Sequence, residues 1–348
     1  MYKAIIRPFF FLLDPERAHH LVVFLVKLLA FVPGVKPLLR KSLSYSTPLL
    51  KTEVAGLQFD NKVGMAAGFD KNAEFYRDFS MFGFSFFEIG TVTPVAQPGN
   101  PKPRLFRLIP DIALINRMGF NNKGVVYAAN RLNNRDHSLI IGGNIGKNTL
   151  TPNEKASEDY RYCFNILYDH VDYLVVNVSC PNIAGLEKLQ DQDSLREILD
   201  TIMEERNKKP TRKPVFLKIS PDLSFQQIDE TLTLYREVGL DGIIATNTTT
   251  RRTDLLTGRD QVTKIGSGGL SGTPLKKRAL EVVSYICKQS QNSIPVIGVG
   301  GIMTPEDAID MIRAGASLVQ VYTGFIYEGP FLVRRMNKAI QQYLMQQI

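Results

Sequence analysis

Eight short apolar segments recur from Lys62 onward, each followed by a polar or glycine-rich turn and then a helix-like stretch. They are VGMAAG, FSFFEIG, LIIGGNIG, DYLVVNVS, PVFLKIS, DGIIATN, IPVIGVGG and SLVQVYTG. Nearly continuous apolar runs indicate strands that are buried on both faces, as in parallel sheets. Their alternation with helical stretches such as SLREILDTIMEERN gives eight βα units. This pattern predicts an α/β protein with a (β/α)8 TIM-barrel fold, and a doubly wound open sheet is the alternative.

Residues 1–45 are predicted to form an N-terminal helical hairpin extension, and residues 46–348 the barrel domain. Asp14, Pro15 and Glu16 form a good helix start, and Pro33-Gly34 ends the helix. The apolar run LVVFLVKLLAFV is short and interrupted by Lys27, which disfavours a membrane-spanning helix. Apolar faces with scattered Lys and Arg favour a helix pair that lies in a membrane interface. The alternative is a hairpin packed on its own domain.

Charge and cysteine content exclude several classes of partner. Residues 1–45 hold seven basic and two acidic side chains, more than half of the chain's net charge of +8. The body has no Lys/Arg stripe with interleaved aromatic residues, so we expect no nucleic-acid partner. Three cysteines and four histidines show neither a disulfide framework nor a metal-ligand spacing. We therefore expect no metal, and a reducing intracellular setting.

Polar residues follow all eight predicted strands. In such barrels the chemistry lies where the strands end. These strand ends supply amides, hydroxyls and two lysines, with few carboxylates: Lys71, Thr91, Asn144, Asn177 with Cys180 and Asn182, Lys218, Thr246 to Thr248, Gly300 and Gly301, and Tyr322 and Thr323. A polar residue at every strand end predicts one ringed site.

The sequences GVGG and YTG, after the seventh and eighth strands, lie where many barrels bind a phosphate. Glycines let backbone N–H groups converge on an anion, although a tight turn is the alternative. The asparagines Asn116, Asn177, Asn182 and Asn247 suit a heterocycle, because each amide both donates and accepts; turn formation is their alternative role.

The two lysines are predicted to meet a ligand anion. Lys218 lies in the apolar strand VFLKIS, and a buried lysine needs an anionic partner. Lys71 could instead be a surface cation paired with Asp70. A ligand anion is the preferred partner for both, more strongly for Lys218.

At this point the chain resembles the dihydroorotate dehydrogenases, specifically their membrane-associated, quinone-reducing class. The resemblance covers nearly the whole chain and rests on the order and spacing of many motifs: DPERAHH, AAGFDKN, EIGTVTPVAQPGNPKPRLFRL, INRMGFNNKG, NIGKN, NVSCPN, LKISPDLS, IATNTT, GGLSG, VIGVGGI and ASLVQVYTGF. It implies a (β/α)8 barrel that carries FMN and oxidises dihydroorotate to orotate in pyrimidine biosynthesis. A membrane quinone would reoxidise the flavin.

The resemblance also implies roles for individual residues. The cofactor-binding set would be Ala67, Gly68, Phe69, Asp70, Lys71, Thr91, Asn144, Asn177, Lys218, Thr246, Gly272, Gly300, Gly301, Tyr322 and Thr323. The substrate-binding set would be Lys71, Asn116, Arg117, Met118, Gly119, Phe120, Asn177, Asn182, Asn247 and Thr248. His19, Arg107 and Tyr322 would lie near the quinone path. Lys71 would meet the substrate carboxylate, and Lys218 would offset charge on the reduced flavin. The protein would be peripheral, on the cytoplasmic side of the cell inner membrane, held through residues 1–45.

Cys180 stands where this family keeps its catalytic base. The quinone-reducing class normally has serine there, whereas cysteine is typical of the soluble class, which lacks the N-terminal helices and uses fumarate or NAD. A thiol, with an unperturbed pKa of about 8.5, ionises far more easily than an alcohol. A packed small residue is the alternative role for Cys180.

Three other functions compete with this prediction. The first is the same oxidation with a soluble acceptor, which Cys180 favours and residues 1–45 disfavour. The second is a flavin-free, phosphate-binding isomerase or aldolase, which would be colourless. The third is a non-catalytic module on a membrane surface, which the polar strand ends disfavour.

Overall fold

The structure is a computed structural model that describes residues 2–179 and 192–347. Its strands, in chain order, are β1 Thr52–Val54, β2 Leu57–Phe59, β3 Val63–Met65, β4 Phe86–Val92, β5 Leu105–Leu108, β6 Ala113–Asn116, β7 Ile140–Ile145, β8 Tyr173–Asn177, β9 Val215–Ile219, β10 Gly242–Ala245, β11 Gly269–Gly272, β12 Val296–Val299 and β13 Leu318–Val321.

The helices surround these strands. They are α1 Arg7–Phe11, α2 Pro15–Phe31, α3 Val35–Leu43, α4 Tyr76–Phe79, α5 Val125–Leu132, α6 Ala156–Leu167, α7 Gln192–Asn207, α8 Phe225–Val238, α9 Arg259–Ile265, α10 Lys276–Gln289, α11 Pro305–Arg313, α12 Thr323–Glu328 and α13 Leu332–Met345. A π-helix, Tyr2–Ile6, precedes α1.

Eight of the strands form a closed parallel barrel in the order β3, β4, β7, β8, β9, β10, β12, β13. The last pair closes the ring, because Val319 of β13 lies opposite Val63 of β3. All eight coincide with the apolar segments identified in the sequence, so the TIM-barrel prediction is confirmed and the open sheet is excluded. Closure places the carboxyl ends of all eight strands around one mouth.

The barrel interior has an apolar layer and a polar layer. Phe86, Tyr173, Phe216 and Leu318 form the apolar layer with Phe59 of the β1–β2 hairpin. Side chains two residues further along a strand lie on the same face. Three of these strands therefore place Glu88, Lys218 and Gln320 in the next layer, which also holds Asn144 of β7, and all four side chains are buried. The polar layer lies on the side of the strand carboxyl ends.

Local signals account for the helix boundaries. Helix α8 begins with a capping box, in which the Ser224 hydroxyl accepts from the Gln227 N–H and the Gln227 side chain accepts from the Ser224 N–H. It ends at Gly239 in a left-handed conformation with φ +77°. Helix α2 begins at the predicted cap, where the Asp14 carboxylate accepts from the N–H groups of Glu16 and Arg17.

A three-stranded antiparallel sheet that the sequence did not predict lies outside the barrel. It has the order β11, β6, β5, with Asn116 opposite both Leu105 and Gly269. Its strands have only four residues each, too few for a clear alternation of apolar and polar side chains. This sheet brings Asn116 and Gly272 to the mouth of the barrel.

The N-terminal helices dock on this sheet and on α12. Arg107 of β5 donates to the backbone carbonyl of Leu13 at 2.6 Å and stacks over the Phe11 ring. The Tyr2 hydroxyl donates to the carbonyl of Ile326 at 2.6 Å. Within residues 2–179 and 192–347, no single helix is long and apolar enough to span a membrane, although α2 and α3, bent by 115°, together have the required length and composition. The division at residue 45 stays a prediction.

Candidate active site

A pocket of about 1070 Å³, including its opening to solvent, lies at the carboxyl ends of the barrel strands. Most residues predicted from the sequence line it: Ala67, Gly68, Lys71, Thr91, Asn116, Met118, Gly119, Phe120, Asn177, Lys218, Thr246, Asn247, Thr248, Gly272, Gly300, Gly301, Tyr322 and Thr323. Residues from seven barrel strands or the turns after them, and from the outer sheet, thus converge on one volume. A concave pocket toward which several polar groups converge is the usual form of a site for a cofactor or a substrate.

One end of the pocket is lined by glycines that leave no room for a side chain. Gly301 has φ +68°, and a Cβ built on it would lie 2.3 Å from Cα of Lys276. Gly272 has φ +97°, and its Cβ would lie 2.4 Å from the carbonyl oxygen of Ile112. The Thr323 and Ser271 hydroxyls are 2.8 Å apart beside them. Exposed backbone N–H groups and hydroxyls are the donors that a phosphate ester requires.

A connected set of amides and hydroxyls lies in and beneath the middle of the pocket, where Thr91, Asn177 and Asn247 line it. Thr91 Oγ1 donates to Asn144 Oδ1 at 2.5 Å and accepts from Asn177 Nδ2 at 2.9 Å. Asn247 Nδ2 lies 3.3 Å from Asn177 Oδ1 and 3.2 Å from the Ser179 hydroxyl. Because each side chain orients the next, the set can present fixed donors and acceptors to a heterocycle.

Lys218 finds its anionic partner within the protein. Its Nζ lies 3.1 Å from Glu88 Oε1, and both side chains are buried. The sequence predicted a ligand anion for this lysine; the structure supplies Glu88 of β4 as a partner within the protein, and Lys218 also lines the pocket. The pattern FFEIG, with one acidic residue inside an apolar strand, was the signal for this buried carboxylate, as VFLKI was for Lys218.

Lys71 is not paired with Asp70. The Asp70 carboxylate accepts the backbone N–H groups of Glu74, Phe75 and Tyr76 at 2.7–2.8 Å. Burial raises the pKa of Asp70 to about 6. Lys71 lines the pocket and donates to the Asn121 amide oxygen. The surface pairing that the sequence allowed is therefore wrong, and Lys71 contributes a cation to the pocket.

The turn that carries Met118 and Gly119 is held by a hydrogen-bonded chain from α2. The Glu16 carboxylate binds the Arg104 guanidinium through two contacts, at 2.8 and 3.2 Å. Arg104 also donates to the carbonyls of Pro98 and Asn100 at 2.6 and 3.1 Å. Asn100 in turn donates its backbone N–H to the carbonyl of Met118 at 3.1 Å. Helix α2 is thus connected to the pocket wall.

Three aromatic rings connect α2 to the pocket from another side. His19 meets Phe69 edge to face at 5.1 Å between ring centroids, and Phe69 meets Tyr322 at 5.6 Å. Tyr322 itself lines the pocket, and burial raises its pKa to about 12. Burial lowers the pKa of His19 to about 4, so this histidine is neutral at pH 7. The rings form an apolar, uncharged contact between α2 and the pocket wall.

Several predicted residues lie away from the pocket lining. Phe69 packs against the rings of His19, Phe79 and Tyr322, and Asp70 braces the following turn. Asn144 lies in the buried layer beneath Thr91. The Arg117 guanidinium donates to the carbonyls of Ile265 and Pro103, and Arg107 is bound to the N-terminal segment.

Two predicted residues, Cys180 and Asn182, lie outside the described residues. Sequence reasoning also missed Glu88 and several residues that line the pocket: Leu105, Leu114, Ser271, Met303 and Gln320. Leu105, Leu114 and Ser271 belong to the outer sheet, whose strands carry no distinctive pattern. Gln320, a polar residue within the apolar strand LVQV, was visible in the sequence.

Within the described ranges no group of three or more His, Cys, Asp or Glu side chains could hold a metal ion. Cys163 and Cys287 are buried free thiols, and burial raises the pKa of both. Neither lines the pocket.

Known proteins resemble this chain over almost its full length. A protein of Christiangramia forsetii named dihydroorotate dehydrogenase (quinone) is 49% identical over 340 residues, which cover 98% of each chain. A protein of the same name from Nocardia farcinica is 46% identical, over 99% of this chain and 93% of its own. The crystal structure of DHODH from Eimeria tenella in complex with ferulenol superposes with a TM-score of 0.84 at 38% identity, over 96% of this chain and 92% of that one.

The sequence pattern described for the dihydroorotate dehydrogenases matches residues 49–344. This range begins before the first barrel strand, ends within α13 and includes every residue of the pocket. The chain therefore belongs to the dihydroorotate dehydrogenase family.

Proposed function

We propose that this protein oxidises dihydroorotate to orotate and passes the electrons to a membrane quinone, as the redox step of pyrimidine biosynthesis. The observation that carries the proposal is the pocket, in which a glycine-lined anion site adjoins a set of amides and a lysine. Two of the relatives named above are called dihydroorotate dehydrogenase (quinone), and they align with 98% and 99% of this chain.

The flavin that the family uses would be FMN. The glycine-lined end suits one phosphate ester, because Gly272 packs closely against Ile112 and Gly301 against Lys276, and the backbone there carries no side chain. Thr91, Asn177, Lys218 and Thr246 would hold the ring system. When bound, FMN would supply a hydride acceptor that takes up electrons in one step and releases them in a separate step.

The substrate would lie among Lys71, Asn116, Asn177, Asn247 and Thr248. The Lys71 ammonium suits its carboxylate, and the amides suit the imide edges of its ring. Met118, Gly119 and Phe120 would form the adjacent wall, and Asn182 a further amide contact.

Oxidation removes a hydride and a proton from adjacent carbons of the substrate. The proton requires a positioned base, and Cys180 is the proposed residue. Its neighbour Ser179 is held by a donated hydrogen bond to the carbonyl of Lys218 at 2.9 Å, and the Asn177 carbonyl accepts from the Tyr160 hydroxyl at 2.8 Å. These bonds fix the backbone that leads to the thiol.

The quinone would reach the flavin along His19, Phe69 and Tyr322, from a membrane surface on which α2 and α3 lie. Arg107 braces the entrance by holding the carbonyl of Leu13. Among the described residues, half of the large apolar side chains that are exposed belong to the first 43 positions: Ile5, Phe9, Leu12, Phe24, Leu25, Leu28, Leu29, Phe31, Val32 and Leu38. Such a surface, flanked by lysines and arginines, suits the cytoplasmic face of the inner membrane.

Anaerobic mixing tests this proposal. Dihydroorotate should bleach the yellow flavin of the purified protein, and a short-chain quinone should restore the colour with ping-pong kinetics, whereas fumarate or NAD should not. A colourless protein would exclude the flavin. Reoxidation by fumarate or NAD but not by quinone would assign the chain to a soluble-acceptor enzyme.

A further inference from the structure

We propose that Glu88 is a positioning residue that lowers the midpoint potential of the bound flavin, because it pairs with Lys218 beneath the pocket. The inference rests on the flavin site proposed above and goes beyond it. It concerns a side chain that does not line the pocket.

Glu88 is the centre of the polar layer inside the barrel. Its Oε1 accepts from Lys218 Nζ at 3.1 Å and from Asn144 Nδ2 at 2.7 Å. Its Oε2 accepts from Gln320 Nε2 at 2.7 Å. The three donors come from strands β9, β7 and β13, so barrel closure itself assembles them.

The layer is buried and lies directly below the pocket. Glu88 is 1% exposed and Lys218 5%, and both Lys218 and Gln320 line the pocket. A charge interaction is screened least in such a place. The charge that the flavin meets from below is therefore that of the Glu88–Lys218 pair, close to zero, rather than that of a lone ammonium.

This neutrality has a redox consequence. A hydride brings two electrons and one proton, so its transfer to the flavin adds one net negative charge. A lone Lys218 ammonium would stabilise that charge, and Glu88 opposes it. Glu88 thus disfavours the reduced flavin and eases the withdrawal of electrons by the quinone.

The substitution Glu88→Gln tests the inference because it keeps the shape and removes the charge. Its amide oxygen can still accept from Lys218. Gln320 Oε1 has no hydrogen-bond partner among the described residues, so the Gln320 amide can rotate to accept from the new NH₂ group. The midpoint potential, measured by anaerobic equilibration with a reference dye, should rise. At a fixed solution potential, we expect the ratio of reduced to oxidised flavin to increase at least tenfold, which corresponds to a rise of about 30 mV in the midpoint potential of a two-electron couple.

Three further variants separate charge from structure. Lys218→Met should lower the midpoint potential, and the double variant Glu88→Gln/Lys218→Met, again neutral, should lie near the wild-type value. Glu204→Gln removes an exposed carboxylate from α7 and is the control that should leave the potential unchanged. If the role of Glu88 were merely structural, Glu88→Gln would alter flavin content or thermal stability, but the midpoint potential would not rise in Glu88→Gln and fall in Lys218→Met.

An unchanged or lowered potential in Glu88→Gln, or shifts of the same sign in the Glu88→Gln and Lys218→Met variants, would overturn the inference. If Glu88→Gln loses its flavin, the double variant Glu88→Gln/Lys218→Met is compared with Lys218→Met, and its midpoint potential should be the higher of the two. Equal midpoint potentials for these two variants would also overturn the inference. Failure of the proposed function is distinguishable, since it would appear in the wild-type protein as absent flavin or absent bleaching by dihydroorotate.

Discussion

The substitution Gly301→Ala tests the glycine-lined phosphate site. Two independent costs apply to an alanine there. Its φ of +68° is unfavourable for a residue with a Cβ, by about 1–2 kcal/mol. The Cβ would also lie 2.3 Å from Cα and 2.4 Å from N of Lys276. Because Lys276 is the first residue of α10, its backbone cannot withdraw, and such overpacking costs about 1–3 kcal/mol.

The expected loss in the free energy of unfolding is therefore about 2–5 kcal/mol. With an unfolding entropy of roughly 2.1 cal/mol/K per residue, this corresponds to a fall in Tm of about 3–7 °C. FMN affinity should fall at least tenfold, since the backbone N–H groups at this turn must move. Thermal unfolding followed by circular dichroism, together with FMN titration of the apoprotein, measures both effects.

Two other glycines are matched controls. Gly239 has φ +77° and open space around it, so Gly239→Ala carries the conformational cost alone. Gly258 has φ −54° and open space, so Gly258→Ala should be nearly neutral. Both should bind FMN normally. The reasoning is refuted if Gly301→Ala is no less stable than Gly239→Ala and binds FMN like the wild type.

Three further predictions concern the base, the α2 contact and the pH dependence of folding. Cys180→Ala should still bind orotate, but its rate of flavin reduction in stopped flow should fall by a factor of roughly 10²–10⁴. Cys180→Ser should keep substantial activity, with a more alkaline pH profile. A near wild-type rate of flavin reduction in the alanine variant would exclude the thiol as the base. Glu16→Gln should weaken orotate binding, because the turn that carries Met118 loses the carboxylate that holds Arg104. The change in flavin absorbance on titration with orotate measures this affinity. Lys102→Met, at an exposed lysine, should not weaken binding, and equal orotate affinities for the two variants would contradict the prediction. Burial lowers the pKa of His19 to about 4 in the folded state. Between about pH 6.5 and about pH 4 the histidine is therefore protonated in the unfolded state and neutral in the folded state, so the free energy of unfolding falls as the pH falls through this range. His19→Phe should reduce that loss by about 1–3 kcal/mol in urea unfolding, and an identical pH dependence would disprove it.

Much of the site could be predicted because strand ends are encoded locally. Thr91, Asn177 and Thr246 each follow an apolar run, and barrel closure brings such positions to one mouth. Their convergence required only the correct fold class. The cap of α2 could be predicted for the same reason, since a cap depends on residues two or three positions apart.

Partners that are distant in the chain could not be predicted. Lys218 and Glu88 are separated by 130 positions, and nothing near either residue specifies the other. The outer sheet poses the same problem, because β11 pairs with β6 across more than 150 positions and both strands are short.

The sequence by itself determined the eight strands, the boundaries of α2 and the residue types at the strand ends, because periodicity and capping are properties of neighbouring residues. The tertiary structure alone decided which charges neutralise each other and which rings meet. Those pairings are set by the closure of the barrel, which brings Glu88 of β4 to Lys218 of β9, and by the docking of α2, which brings His19 to Phe69.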